Sequence, residues 1–311
     1  MKHIFIINPV AGKGKFYNEI RPQIEECCKR NNLDYEICAT KACRDGIRIV
    51  KEKAASGEEI RFYACGGDGT LYEVVNGAYG FKNVQVAVIP LGSGNDFVRL
   101  FGTKEDFLKL DDVVNGVPVQ LDVIKCGDEI AINQCSMGLD AEVCARQADF
   151  KKLPLMTGEG AYVAAALYSL LFKVKNTFTL QVDDGKPFTQ DCIFCVGANS
   201  RWYGGGFMAA PKAMPDDGLL DFILVEKQCS RAKLVTLLNK YKAGQHLDWS
   251  MTNFVRGKKL TIHSDVPAAV NVDGECSYVT DAVFEIVENG IVFVVPRKSD
   301  FLNFRTQKAA D

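Results

Sequence analysis

An α/β domain followed by a mostly antiparallel β domain is the architecture this sequence predicts, and three observations predict it. Before Leu121, short unbroken apolar runs alternate with segments of helical spacing. After Leu121, short β-like runs separated by turn signals dominate. Glycine-rich turns recur directly after strand-like runs of the first part. At 311 residues and 47% apolar composition, the chain has room for about two domains with substantial cores.

The elements of the first part follow in order. Lys2–Ile7 reads as a strand, Phe16–Arg30 as a helix, Tyr35–Ala39 as a strand and Asp45–Ala55 as a helix. Ile60–Cys65 is a strand, Leu71–Gly77 a helix and Val84–Ile89 a strand. Continuous apolar strands in a βαβα series belong to a parallel sheet covered on both faces. Ligands of such sheets sit outside the strand C-termini.

In the second part the strand-like runs are Leu121–Lys125, Glu129–Cys135, Thr177–Val182, Asp191–Gly197, Gly218–Glu226, Lys259–His263, Ala268–Val272, Ala282–Val287 and Ile291–Val295. Asp184-Gly185 and Asn289-Gly290 supply turn signals between them. Ala161–Lys173 and Arg231–Ala243 read as helices. The pattern predicts a sandwich or flattened barrel. The expected boundaries are 1-121 and 122-297, with the polar tail 298-311 returning to the first domain.

Charge narrows the partners. Lys+Arg and Asp+Glu nearly cancel, 37 against 39, for a net charge of −2; no basic excess points to nucleic acid. The N-terminal apolar run is too brief for a signal peptide. The longest apolar stretch, Ala161 to Phe172, falls short of the roughly 18–20 residues that span a bilayer. The expected location is therefore cytoplasmic, with transient contact at the inner membrane surface. Twelve cysteines follow no framework, and Cys192-Ile193-Phe194-Cys195 lacks the partners of a zinc site, so reduced core thiols are expected. His3, His246 and His263 suggest no metal or triad by spacing.

The glycine-rich turns carry the chemistry. Gly66, Gly67, Asp68, Gly69 and Thr70 stand where a strand gives way to a helix, and glycine permits a backbone to come close to phosphate oxygens. The helix N-terminus adds amide donors. Asn8-Pro9-Val10-Ala11-Gly12-Lys13-Gly14 offers an amide, two glycines and a lysine, without Walker A or G-x-G-x-x-G spacing. Leu91-Gly92-Ser93-Gly94-Asn95-Asp96 adds a hydroxyl and a second carboxylate. Each turn alone reads equally as a plain βα corner. Together they fit a nucleoside triphosphate with a divalent cation, since carboxylates beside phosphates need a metal between them or a proton to take.

NPVAGKG (Asn8–Gly14), GGDGTLYE (Gly66–Glu73) and LGSGND (Leu91–Asp96), in this order, resemble the catalytic domain shared by bacterial diacylglycerol and related lipid kinases, sphingosine kinases and ceramide kinases. The resemblance continues in Asn199 with Gly204-Gly205-Gly206, in Ala210–Leu220, and in Val270-Asn271-Val272-Asp273-Gly274-Glu275. It implies an NAD-kinase/phosphofructokinase-like nucleotide domain above a β-rich lipid domain, with the site in the cleft. It implies ATP and Mg²⁺ as cofactors and a membrane lipid as substrate, most simply diacylglycerol converted to phosphatidic acid; a homodimer stays open. By resemblance Asn8, Lys13 and Thr40 hold the nucleotide, Gly67 to Glu73 wrap its phosphates, and Ser93 contacts it from the third turn beside Gly92 and Asn95. Asp96 and Asp122 join Asp68 in a water-metal network. Asp273, with Glu275 nearby, is the general base. The carbonyls of Met214 and Leu219 with Asp217 bind a second, structural Mg²⁺.

The residues themselves leave alternatives. Asp216-Asp217-Gly218 reads as an exposed turn without metal, although carbonyls plus a carboxylate make a hard oxygen site. Asp273-Gly274 reads as a hairpin turn. Ala161–Phe172 with Met156 either lines an acyl pocket or is a buried core helix. Trp202-Tyr203 either forms an aromatic lip at a membrane or packs locally. Two other functions stay in view: an NAD kinase, which shares GGDGT but not LGSGND, and a non-catalytic nucleotide- or lipid-binding protein.

Overall fold

The computed structural model describes residues 1–9, 15–150 and 176–303. The helix expected over Ala161–Lys173, Met156, and the first-turn residues Gly12, Lys13 and Gly14 lie outside the described residues. The chain divides into two units, Met1–Asp122 with Glu288–Asp311, and Val123–Val287.

In the first unit β1 (Lys2–Ile7), β2 (Tyr35–Ala39), β3 (Ile60–Gly66) and β4 (Val84–Pro90) form a parallel sheet in the order β2-β1-β3-β4. Its helices are α1 (Lys15–Arg30), α2 (Asp45–Ala54), α3 (Asp68–Ala78) and the short α4 (Lys104–Leu108) and α5 (Leu110–Val114). Phe5, Ile7, Tyr63, Cys65, Ala87 and Ile89 share one core with α1 and α5. Every residue of β3 is buried, as unbroken apolar strands require. Gly77 lets α3 lie directly on α2: a Cβ there would stand 2.6 Å from Val50 Cβ.

The first unit is completed by the end of the chain. Phe293 pairs in parallel with Val86 of β4. Its ring lies 5.2 Å from Phe97 and 5.3 Å from Phe101, and Phe301 lies 4.8 Å from Phe101. The division at Glu288 therefore comes earlier than the expected boundary at 297. It falls inside one strand, and a strand carries the same apolar texture whichever unit it serves.

In the second unit β5 (Val117–Cys126) enters from the first and pairs with β6 (Glu129–Ala131). The main sheet contains β7 (Gln134–Gly138), β8 (Asn176–Val182), β9 (Phe188–Ala198), β10 (Leu220–Glu226), β11 (Thr252–Gly257), β12 (Lys259–Val272) and β13 (Glu275–Val295). It runs β11-β10-β9, then β7 and β8 each paired to both β9 and β12, then β13, all antiparallel. Neighbouring strands lie about 4.8 Å apart, yet a Cβ on Gly197 of β9 would stand 3.1 Å from the Phe284 ring of β13. The sheet therefore curls over its own core.

Two pairs of expected strands are single strands. Lys259–His263 and Ala268–Val272 join as β12, with a register shift between them. Ala282–Val287 and Ile291–Val295 join as parts of β13, where Asn289 at φ 52° bends the strand without ending it. Among the described residues the unit also contains two helices, α6 (Leu139–Phe150) and α7 (Arg231–Lys242). Ser230 caps α7 by accepting from Lys233 N. All twelve cysteines are free thiols.

Candidate functional site

Each described strand of the parallel sheet delivers an expected site residue at its C-terminal end. Asn8 follows β1 and donates its amide to Cys65 O at 3.3 Å. Thr40 follows β2, is buried, and donates its amide to Ile7 O at 2.9 Å. Gly66 ends β3, and its carbonyl accepts from Leu91 N and Gly92 N at 2.8 and 3.2 Å. The second and third turns are thus locked together by backbone bonds. Gly92 is glycine because the loops touch: a Cβ there would stand 2.5 Å from Gly67 Cα.

Asp68 is the tie between these turns. Its Oδ2 accepts from Asn95 N at 2.8 Å and its Oδ1 from Asp96 N at 2.9 Å. Burial, and then the carboxylate of Asp96, raise its pKa above the ordinary range. The third turn is braced further by Asn95 Nδ2 and Lys104 Nζ, which donate to Gly92 O at 2.6 and 2.8 Å. Arg99 Nε donates to Asp96 Oδ1 at 3.1 Å. Ser93 stands exposed at the tip of that turn. Lys104 and Arg99 were not anticipated; a lone basic residue after a glycine turn carries no sequence signal for such a brace.

Helix α3 begins at Asp68, so Asp68-Gly69-Thr70 form its first turn rather than a loop before it. Gly66 is crowded, since a Cβ would stand 2.1 Å from Thr70 Oγ1. Gly69 differs: it is exposed, a Cβ on it meets nothing within 4 Å, and its φ is not positive. Nothing in the described protein requires glycine there, although glycine in a helix costs roughly 0.5–1 kcal/mol relative to alanine.

Glu73 and Asp122 have roles that the sequence did not suggest. Glu73 caps α2, accepting from Arg44 N at 2.9 Å and Gly46 N at 2.8 Å. Asp122 is buried, and its Oδ1 accepts from Asn289 N at 2.8 Å, holding the bend in β13. Among the described residues no three His, Cys, Asp or Glu side chains gather as a metal cluster. Asp68 and Asp96 remain as neighbouring carboxylates, and such a pair suits a hydrated Mg²⁺.

In the second unit Asp273 and Gly274 form the turn between β12 and β13, with φ of 49° and 105°, values that a two-residue hairpin demands. Asp273 Oδ2 accepts from Ile132 N at 2.6 Å, and Oδ1 accepts from Asn133 N at 3.1 Å and Gln134 N at 2.8 Å. One carboxylate thus gathers three successive amides. Asn199 holds the same loop, donating Nδ2 to Ile132 O at 3.0 Å. Asn271 Oδ1 accepts from Gly274 N at 2.7 Å. Glu275 opens β13 just beyond, half-buried.

At the expected structural Mg²⁺ site, Met214, Asp217 and Leu219, the carboxylate is already engaged. Asp217 Oδ1 accepts from Leu219 N at 3.2 Å, and Oδ2 is engaged by Arg256 Nη2. The same guanidinium donates from Nε to Asp221 Oδ1 at 2.8 Å. Arg256 already supplies the positive charge that a metal would bring. Two hydrogen bonds fix it there.

Comparison with known proteins assigns the two units. The model of the diacylglycerol kinase catalytic domain matches residues 2–126. The YegS C-terminal NAD kinase beta sandwich-like domain matches residues 133–295, more than half of the chain. This chain belongs to the diacylglycerol kinase and YegS-like lipid kinase family. It is 29% identical over 273 residues to a diacylglycerol kinase of Staphylococcus carnosus, covering 87% of each chain. It is 27% identical over 296 residues to a diacylglycerol kinase of Bacillus subtilis, covering 94% of this chain and 96% of the other. A crystal structure of a diacylglycerol kinase from Bacillus anthracis has the same fold, with a TM-score of 0.67 at 18% identity over 94% of this chain and 96% of that one.

As a lipid kinase, the chain also shares its fold with an NAD kinase from Archaeoglobus fulgidus in complex with ATP. There the TM-score is 0.51 at 15% identity, over 96% of this chain and 94% of that one. One acidic residue in this lipid kinase escaped the sequence reading altogether. Asp140 lies in the first turn of α6, and burial pushes its carboxyl up to about 6.

Proposed function

We propose that this lipid kinase takes the γ-phosphoryl group of ATP, with Mg²⁺, and transfers it to the hydroxyl of a membrane lipid, diacylglycerol giving phosphatidic acid. The observation that carries the nucleotide half is Gly69, a helical glycine with no internal reason to be one and open space above it. A phosphate lying on the first turn of α3 explains it, because amides and the helix dipole face that space. Asn8, Thr40, Ser93 and the backbone from Gly66 to Thr70 are proposed to line the nucleotide, with Asn95 and Gly92 shaping the third turn.

Mg²⁺ bound at Asp68 and Asp96 would neutralise charge that develops on the transferring group. Asp68 also fixes the turns, and its two amide bonds hold the carboxylate in one orientation. On the acceptor side, the lipid hydroxyl oxygen bonds to the γ-phosphorus, the bond to the ADP oxygen breaks, and the hydroxyl proton passes to Asp273. Because phosphoryl transfer depends mainly on positioning, the three amides that orient Asp273 support this role. Glu275 is the proposed auxiliary.

A labelled-ATP assay tests the reading, using diacylglycerol, phosphatidylglycerol, sphingosine, undecaprenol and NAD in parallel. Mg²⁺-dependent labelling of diacylglycerol is the expected result. Labelling of NAD with no labelled lipid, or tight ATP binding with no turnover of any acceptor, overturns it.

A further inference from the structure

Helix α7 presents an unusual outer face. Its sequence, Arg231 to Lys242, contains four basic residues and no acidic one. Only Tyr241 is buried, while Leu234 and Leu237 pack inward on the unit's core. Val235 and Leu238 are exposed at 56% and 46%. The spacing of four, three and four residues puts Arg231, Val235, Leu238 and Lys242 in a single stripe along the solvent side. Lys233 and Lys240, both exposed, lie about half a turn around the helix from this stripe, on its other shoulder.

A second feature meets this helix at its C-terminal end. The Tyr203 and Tyr241 hydroxyls are 2.9 Å apart, the Phe207 and Tyr241 rings 6.1 Å apart, and Lys242 Nζ lies 5.5 Å over Phe207. The glycine-rich loop that carries Trp202, Tyr203 and Phe207 is thereby fastened to α7. The same loop is tethered at its other end, where Asn133 Nδ2 donates to Trp202 O at 2.7 Å. The amide of Asn133 is one of the three gathered by Asp273.

We infer that α7, with the aromatic loop Trp202–Phe207, is the surface by which the second unit docks on an anionic lipid bilayer. The inference rests on the lipid-kinase reading above and names the face that meets the membrane. Apolar side chains flanked by cations, with no acid on the helix, match a negatively charged interface in both respects. Aromatic residues with polar tips suit the headgroup level. The tether through Asn133 connects the docked face to the turn proposed to receive the lipid hydroxyl. A second copy of the chain is a poorer match, because two such faces would place like charges together.

Sedimentation with vesicles of phosphatidylcholine, with and without phosphatidylglycerol, tests this. The protein should partition into the phosphatidylglycerol vesicles and little into the neutral ones, and the binding should weaken with salt. Each basic residue near an anionic surface contributes about fivefold, so Arg231→Gln/Lys242→Gln together should lower partitioning about twenty-fivefold. Val235→Asn/Leu238→Asn, an independent arm, should lower it about tenfold. Both variants should phosphorylate monomeric dioctanoylglycerol as wild type does. Equal partitioning into neutral vesicles, or wild-type partitioning by both variants, overturns the docking surface. Charge-dependent docking without phosphorylation of any lipid would instead overturn the functional reading and leave the surface standing.

Discussion

Asp68 and Gly94 are fitted to each other: a Cβ on Gly94 would stand 2.6 Å from Asp68 Oδ2. That oxygen is the one that accepts from Asn95 N. Gly94→Ala should therefore break the clasp between the second and third turns, lowering both the melting temperature and the activity. Asp68→Asn keeps the shape but can accept only one of the two amides, because its Nδ2 is a donor facing a donor. Stability should fall by about 1–3 kcal/mol while turnover falls at least about a hundredfold. Full activity in Asp68→Asn, measured with saturating ATP and lipid, would remove Asp68 from the chemistry.

Gly69→Ala should do the opposite of most substitutions in a site. Alanine is the better helix former by roughly 0.5–1 kcal/mol, and no neighbour obstructs the new methyl group. The melting temperature should rise and the KM for ATP should increase. Unchanged ATP affinity in a stabilised variant would show that the space above α3 is not where the phosphates lie.

Arg256 should make the second unit indifferent to Mg²⁺. Chelation should leave the melting temperature of the wild type unchanged in the absence of nucleotide. Arg256→Ala should destabilise by about 2–3 kcal/mol, because charged hydrogen bonds at Asp217 and Asp221 are lost together. A fall in wild-type melting temperature on adding chelator would reinstate the metal at Asp217.

Asp140 should leave a pH signature on stability. Its folded pKa, about 6, lies above the ordinary 3.8, so the folded state holds a proton that the unfolded chain releases. Stability from this group then falls as pH rises from about 4 to 6, by at most about 3 kcal/mol, and the loss is complete above 6. Asp140→Asn should be more stable than wild type at pH 7 and lose that advantage near pH 4, as read by denaturant unfolding. An advantage equal at both pH values would refute the assignment.

The parallel sheet was legible because its strands are apolar without interruption and its turns contain glycine. Lys2–Ile7 and Tyr35–Ala39 begin and end where the pattern places them. Strand Thr252–Gly257 was not legible, since its residues are mostly half-exposed and show no alternation. The motif residues were easy to find, but their internal duties were not. Glu73 caps another helix, and Asp273 gathers amides from a loop far away in sequence. A motif names residue types in order; it says nothing of long-range partners such as Arg256, whose carboxylates lie more than thirty positions earlier.

The pairing of Phe293 with Val86, and of Ser299 Oγ with Phe101 O, has a consequence for biosynthesis. Domains commonly fold as they leave the ribosome, N-terminal first. Here the first unit begins to emerge before the second and is finished after it, because the strand beside β4 and the aromatic rings around Phe101 come from residues made after the whole of the second unit. Until Phe293 and Phe301 are made, the edge of β4 and the Phe97–Phe101 surface stay open. The order in which the two units mature is thus the reverse of the order in which they begin.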